Sequence, residues 1–335
     1  MDNTRIQTVE ELEARIGAVS PALELKVIDH LDEGALRWIA ACSLLFLGDS
    51  TEHGIHATVS GGVPGYLTAD KRSLRIPVDS LDHSAPLAEG DGIGTLLILP
   101  RIGEMLRING RVLAHDSGVI HIGVDQCFVH CAKALIRSAF WEPKALQQSL
   151  ENKKDGAACI EACRFMVIAT ADNEHNTDVS PKGDPAGLLA SAHEESILFA
   201  DRPGNRRADS FKNILSQPRV AGVFLEPGSD SACRFEGRAV PGCGPSCDRF
   251  AVNGRVPKLA TEIATEFQIP YTSQALGRSQ IWSRSKPDLD SAKILATHMR
   301  LNKNKGLAAR VASSLTSVPG VMRKGLDKDY KDNLY

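Results

Sequence analysis

The chain has no excess of either charge. Its 39 Lys and Arg residues face 41 Asp and Glu residues, a formal −2 at pH 7, so no global basic field points to nucleic acid. No apolar run approaches the roughly 18 residues that span a bilayer, which argues against a membrane role. The start, Met1-Asp2-Asn3-Thr4-Arg5, runs into the acidic Val9-Glu10-Glu11-Leu12-Glu13 stretch and lacks a secretory-signal pattern. A cytoplasmic location is the expectation. No G-x-G-x-x-G dinucleotide fingerprint occurs, and metal-ligand spacing is missing too. Eight cysteines include three C-x3-C pairs, Cys127/Cys131, Cys159/Cys163 and Cys243/Cys247, but zinc and iron–sulfur sites use other spacings. On a helix, C-x3-C puts two small apolar residues on one face. Buried free thiols are expected, with no metal and no disulfides.

With 42% hydrophobic and 24% charged residues, the 335-residue composition is ordinary for a globular protein. That length fits about two domains, and an internal repeat gives the number substance. Ala134-Leu-Ile-Arg-Ser-Ala-Phe-Trp141 matches Ala275-Leu-Gly-Arg-Ser-Gln-Ile-Trp282 at five of eight positions, offset by 141. Upstream, Pro100, Arg107, Gly110 and Arg111 match Pro227, Arg234, Gly237 and Arg238 at an offset of 127. Earlier still, Glu52-His53 and Gly65 match Glu174-His175 and Gly187 at an offset of 122. The growing offset puts five extra residues, then fourteen, into the second copy. The expected division is 1–145, 146–290 and a basic tail, 291–335, with a junction near Glu142-Pro143.

Short apolar runs that end at polar turns predict strands at 43–47, 95–99, 165–169 and 220–225. Helical periodicity predicts helices at 9–16, 22–31, 145–161 and 209–215. The expected fold is mainly β with peripheral helices: two small antiparallel barrels side by side.

Two segments carry the chemistry. Asp178-Val179-Ser180-Pro181-Lys182-Gly183-Asp184-Pro185 follows the first hairpin of the second copy. Asp201-Arg202-Pro203-Gly204-Asn205-Arg206-Arg207-Ala208-Asp209-Ser210 places three arginines before a short helix. Arginine forks and a helix N-terminus make a phosphate site, and Lys182 adds a point charge. No acid–base pair, nucleophile or metal site stands out. His130 reads as a strand histidine, and His53 and His175 as solvated turn residues.

These segments, with Asn213-Ile214-Leu215 and Gln217-Pro218-Arg219-Val220, resemble the FMN-binding split-barrel family, the pyridoxamine 5′-phosphate oxidase-like proteins. Gly94 to Arg111 and Cys127 to Trp141 resemble its third-strand region and terminal motif. The resemblance implies two tandem split barrels that form a pseudo-dimer within one chain. It also implies FMN between the two halves. Lys182, Arg206 and Arg207 would hold the phosphate, and Val179, Ser180 and Pro181 would follow the isoalloxazine edge. Asn205, Ser210 and Asn213 would support it, and Arg137, Ser138 and Trp141 would reach across from the first half. The first half departs from this pattern. Ser60 stands opposite Lys182, and Asp79 and Asp82 stand where the arginine loop would be. One competent site per chain is therefore expected. The resemblance further implies an FMN-dependent oxidoreductase with NAD(P)H as a transient reductant and a small-molecule substrate. A non-catalytic flavin carrier, or a barrel holding haem or a deazaflavin, is the alternative.

Overall fold

The computed structural model describes residues 4–18, 21–142, 155–193, 195–204, 207–243, 245–302 and 320–335. Thr4–Arg5 is β1, which pairs with a later strand. Seven strands form the first sheet: β2 (Leu44–Thr51), β3 (Gly54–Gly61), β4 (Thr68–Ala69), β5 (Ser73–Pro77), β6 (Gly92–Ile98), β7 (Met105–Asp116) and β8 (Val119–His130). Seven more form the second: β9 (Phe165–Ala171), β10 (Thr177–Gly183), β11 (Ala190–His193), β12 (Ser196–Ala200), β13 (Arg219–Leu225), β14 (Ser231–Cys243) and β15 (Ala260–Thr272). The orders are β3-β2-β6-β7-β8-β5-β4 and β10-β9-β13-β14-β15-β12-β11, with β1 beside β14. They are one permutation, shifted by seven strands. The sequence repeat is therefore a repeat of topology. Both sheets are antiparallel, as expected for tandem split barrels.

Helices α1 (Val9–Ile16) and α5 (Asp209–Ser216) lie where periodicity placed them. The helix expected over 22–31 is replaced by a 3-10 turn, Pro21–Lys26, and the true helix is α2, Glu33–Ala41. Tertiary pairing overrides the local pattern here. Ile28 exchanges backbone hydrogen bonds with Cys127 and is extended, and the Asp32 carboxylate caps α2 by accepting from the Ala35 N–H at 2.8 Å. Of the helix expected over 145–161, residues 145–154 lie outside the described residues, as does the proposed junction after Glu142. What is described is α4 (Gly156–Ala162). The remaining described helices are α3 (Lys133–Arg137), α6 (Gln274–Ser279), α7 (Ser291–Leu301) and α8 (Val321–Asp332).

The predicted strands are buried on both faces, so they read as continuous apolar runs. Successive side chains point to opposite sides. On β2, Leu45 and Leu47 join the first sheet's own core, while Leu44 and Phe46 join a core between the sheets. On β9, Met166 and Ile168 face the second sheet's core, while Phe165, Val167 and Ala169 face the shared one. Cys159, Cys163 and Cys233 pack in the second core. No described helix is long and apolar enough to cross a membrane.

Each half sends a helix onto the other. Following β8, α3 packs on β10, and following β15, α6 packs on β3. The approach is close enough to require glycine. A Cβ on Gly183 would stand 2.1 Å from the Ala134 carbonyl oxygen, and a Cβ on Gly61 would stand 1.9 Å from that of Ala275. These glycines and alanines are equivalent in the repeat. Arg137 Nε donates to the Gly183 carbonyl and Arg278 Nε to the Gly61 carbonyl, each at 3.1 Å. Ala139 and Gln280, also equivalent, both adopt the left-handed conformation at φ 47° and turn the chain towards Trp141 and Trp282.

The contact is testable. Gly61→Ala and Gly183→Ala should each cost about 1–3 kcal/mol in denaturant unfolding, through overpacking against backbone. Gly204→Ala, whose added Cβ meets its nearest atom at 3.8 Å, should leave the midpoint unchanged.

Candidate functional site

One cavity of about 450 Å³ lies between α3 of the first half and the long connections of the second. The β12–β13 connection, residues 201–218, carries α5, whereas the equivalent 78–91 holds only a 3-10 turn, Val78–Ser80. The β14–β15 connection spans 244–259, against 117–118 for the β7–β8 turn. This is the fourteen-residue excess expected from the repeat offsets. Both long connections reach the cavity: 201–204 and 208–211 from the first, 255–258 from the second.

Strand β10 supplies the floor. Asp178, Ser180 and Lys182 share one face by the two-residue alternation, and Ser180, Pro181 and Lys182 line the cavity. Val179 points the other way, into the shared core. Lys182 Nζ pairs with Asp201 at 3.1 Å and lies 5.0 Å from the Phe211 ring centroid on α5. Ala208, at φ 58°, precedes α5 in the left-handed conformation. Arg207, buried beside it, pairs with Asp209 at 2.7 Å and stacks on Phe128 of the first half. Ser210, on the first turn of α5, also lines the cavity.

Asp178 ties the halves together. It accepts from Arg107 and, at 2.8 Å, from Asn109, both on β7, and from Asn213 on α5 at 3.2 Å. Arg107 is 2% exposed, so this ion pair is buried, and removing either partner would strand a charge.

Arg137 crosses from the first half to the second. Its guanidinium donates to the carbonyls of Gly183, Pro203 and Leu334. Among the described residues it has no carboxylate in ion-pair contact. Ser138 is fully buried and donates to the Leu135 carbonyl. Trp141 donates to the Ile102 carbonyl and packs on Phe140, away from the cavity wall. Asn213 is likewise behind the wall, bonded to Thr170 and Asp178. Asn205 and Arg206 lie outside the described residues.

Other wall residues lie in or near the chemistry-bearing segments, but the sequence assigns them no role of their own. Arg202 Nε pairs with Asp184 at 2.7 Å, both side chains are buried, and Tyr335 hydrogen-bonds the Asp184 carboxyl. Burial pushes the Asp184 carboxyl up despite its arginine neighbours. His130, at the end of β8, also lines the cavity. Burial, with Lys26 and Arg107 nearby, holds its pKa well below the usual histidine range. Its Nδ1 lies 3.2 Å from the Cys131 carbonyl. A carbonyl only accepts, so Nδ1 carries the proton and Nε2 remains an acceptor.

The equivalent position in the first half is filled by its own chain. Ser60 bonds Ser80 at 2.8 Å, and Arg278 donates to the Ser80 carbonyl. Asp82 accepts from Ser273 Oγ and the Ala275 N–H, at the start of α6. His53 is exposed. His175 is exposed too, with its Nδ1 2.8 Å from Ser50 Oγ.

Residues 153–302 match the family model described as pyridoxamine 5′-phosphate oxidase. No curated protein matches the chain significantly. Solved structures that resemble it include HupZ of Group A Streptococcus, at 16% identity and TM-score 0.29, covering 38% of this chain and 98% of that one. A putative pyridoxamine 5′-phosphate oxidase from Lactobacillus delbrueckii has 17% identity and TM-score 0.26, covering 32% and 84%. HutZ, the heme storage protein from Vibrio cholerae, has 13% identity and TM-score 0.24, covering 32% and 85%.

The cationic cluster beside the cavity carries its own test. Lys26 Nζ is buried against the Val129 carbonyl at 3.1 Å, and burial lowers its pKa from 10.5 to about 8. A lysine that binds its proton more weakly when folded destabilises the fold while it is charged. Lys26→Met should therefore raise stability at pH 7 by about 1–3 kcal/mol. That gain should shrink between pH 8 and 10.5, the window in which the lysine of the parent chain is neutral when folded and charged when unfolded. Urea midpoints across that range check both the sign and the window.

Proposed function

We propose, on the premise that residues 153–302 put this chain in the pyridoxamine 5′-phosphate oxidase-like split-barrel family, that it is an FMN-dependent oxidoreductase with one flavin site between its halves. The observation that carries this reading is the convergence on one cavity of Ser180, Pro181, Lys182 and Ser210 from the second half with Arg137 from the first. Hydroxyls that both donate and accept, beside two cations, suit a ligand with a hydroxylated chain and a phosphate.

The volume and charge agree. About 450 Å³ falls within the roughly 300–1,000 Å³ of small-molecule sites. Lys182, Arg207 and the N-terminus of α5 would hold the phosphate, whose charge approaches −2 at neutral pH. Arg206 would join them. Ser180 and Pro181 would run beside the ring, with Arg137 contributed across the interface. Bound FMN would supply the electron chemistry, and the protein's part is binding, orientation and electrostatics. Arg137 and Lys182 present positive charge to the cavity. His130 stays neutral and offers Nε2 as an acceptor, so it can take a proton but holds none to give at that atom. NAD(P)H would act as a transient reductant, and the substrate would be a small molecule. The proposed division remains 1–145 and 146–290, with 291–335 as a tail.

The visible spectrum of the purified, FMN-loaded chain tests the reading, together with its flavin stoichiometry. One equivalent of FMN per chain is expected, and two tight equivalents, or a Soret band in place of flavin absorption, would overturn it. Lys182→Ala and Arg207→Ala should each weaken FMN binding by roughly 10–100-fold, as loss of a charge-assisted contact predicts. Ser60→Ala should leave it unchanged. Steady-state NAD(P)H oxidation separates an enzyme from a flavin carrier.

A further inference from the structure

We propose that Leu334 and Tyr335 are a third component of this site, a wall contributed by the tail that positions Arg137 and Arg202 and slows ligand exchange. The proposal rests on the flavin reading only for the identity of the ligand.

The tail is anchored on the first half and delivers its last residues to the second. Along α8, Met322 and Leu326 pack on the first core. Arg323 pairs with the buried Glu104 at 3.2 Å, and Tyr330 donates to Glu104 at 3.1 Å. Tyr330 also accepts from the Ala132 N–H, just before α3. Lys133, 3% exposed, pairs with Asp329 at 2.9 Å. These contacts fix where the chain leaves α8. Beyond it, the Leu334 carbonyl accepts from Arg137 at 2.8 Å. The Tyr335 ring lines the cavity, with the Arg202 guanidinium 5.5 Å from its centroid. Arg255, from the β14–β15 connection, donates to the Tyr335 main-chain oxygen.

Two of the cavity's arginines therefore depend on the tail for a neighbour. Arg137 has only carbonyl acceptors in the described structure, and Leu334 supplies one of them. Arg202 has an aromatic face on one side and Asp184 on the other. With the tail in place the cavity still measures about 450 Å³, so Tyr335 bounds the space and does not fill it. A residue that bounds a ligand and holds two of its cations should retard escape. A residue that filled the space would compete with the ligand.

The test uses the full chain, a variant lacking residues 334–335, Tyr335→Ala and Tyr335→Phe. The first measurement is FMN dissociation by fluorescence recovery. The deletion and Tyr335→Ala should release FMN about tenfold faster, as loss of roughly 1.4 kcal/mol implies. Tyr335→Phe, which keeps the ring on Arg202 but loses the hydroxyl that bonds Asp184, should release FMN more slowly than Tyr335→Ala and close to the parent rate. The second measurement needs no flavin. Cys131 lines the same cavity and is half-buried, so its maleimide labelling, read by peptide mass, should accelerate about fivefold when the wall is removed. Unchanged labelling, unchanged FMN release, or slower release in the deletion would each overturn the proposal. Faster labelling in a chain that binds no FMN would uphold the wall and refute the flavin reading.

Discussion

The reciprocal docking of α3 on β10 and α6 on β3 is the constraint on which the rest of the molecule depends. Backbone meets backbone at Gly183 and Gly61, where no side chain fits. That closeness lets Arg137 and Arg278 reach the partner half's carbonyls from the ends of short helices. It also brings Leu44, Phe46, Phe165 and Val167 into one apolar core between the sheets. The same approach sets the first half's α3 beside the second half's 201–218 connection, so the cavity exists only because the halves are in contact.

Onto this symmetric frame the sequence adds asymmetric connections. Residues 201–218 and 244–259 exceed their counterparts and both line the cavity. The shorter 78–91 connection instead packs Ser80 against Ser60. The buried Arg107–Asp178 pair fastens the open side across the interface. Electrostatics and loop length thus act together. The half with the longer loops brings Lys182 and Arg202 to the cavity, the other half adds Arg137 to the same wall, and the shorter connection closes on its own chain.

Much of this was legible in the sequence because repeats preserve offsets. The Arg-Ser-x-x-Trp blocks marked equivalent stretches of the two halves, although not that each begins with a helix, α3 or α6. The offset change of fourteen located the long β14–β15 connection. Apolar runs located β2, β6, β9 and β13, because strands buried on both faces need no polar alternation. Lys182, Ser180, Pro181, Ser210 and Arg137 converge on the cavity wall, while Val179 and Trp141 sit in the shared core. The period-two rule, applied to β10, separates Val179 from Ser180 and Lys182. Arg107 stood out only as a repeat match and Asp184, Arg202 and His130 only as members of their segments, because their roles follow from long-range packing. The same holds for Tyr335, which approaches the site through anchors on Glu104 and Lys133. The helix expected at 22–31 was lost to a bridge between Ile28 and Cys127, a contact no local pattern records.

Asp82 shows what joining two barrels in one chain makes available. Its carboxylate accepts from Ser273 and the Ala275 N–H and so secures the start of α6. In a symmetric pair of separate subunits, every substitution is present twice and faces both pockets. An acidic residue there would oppose a phosphate wherever one bound. Within a single chain the position is encoded once for each half. One copy is free to become a fastener while the other keeps its cations, so fusion releases the two surfaces from having to remain alike.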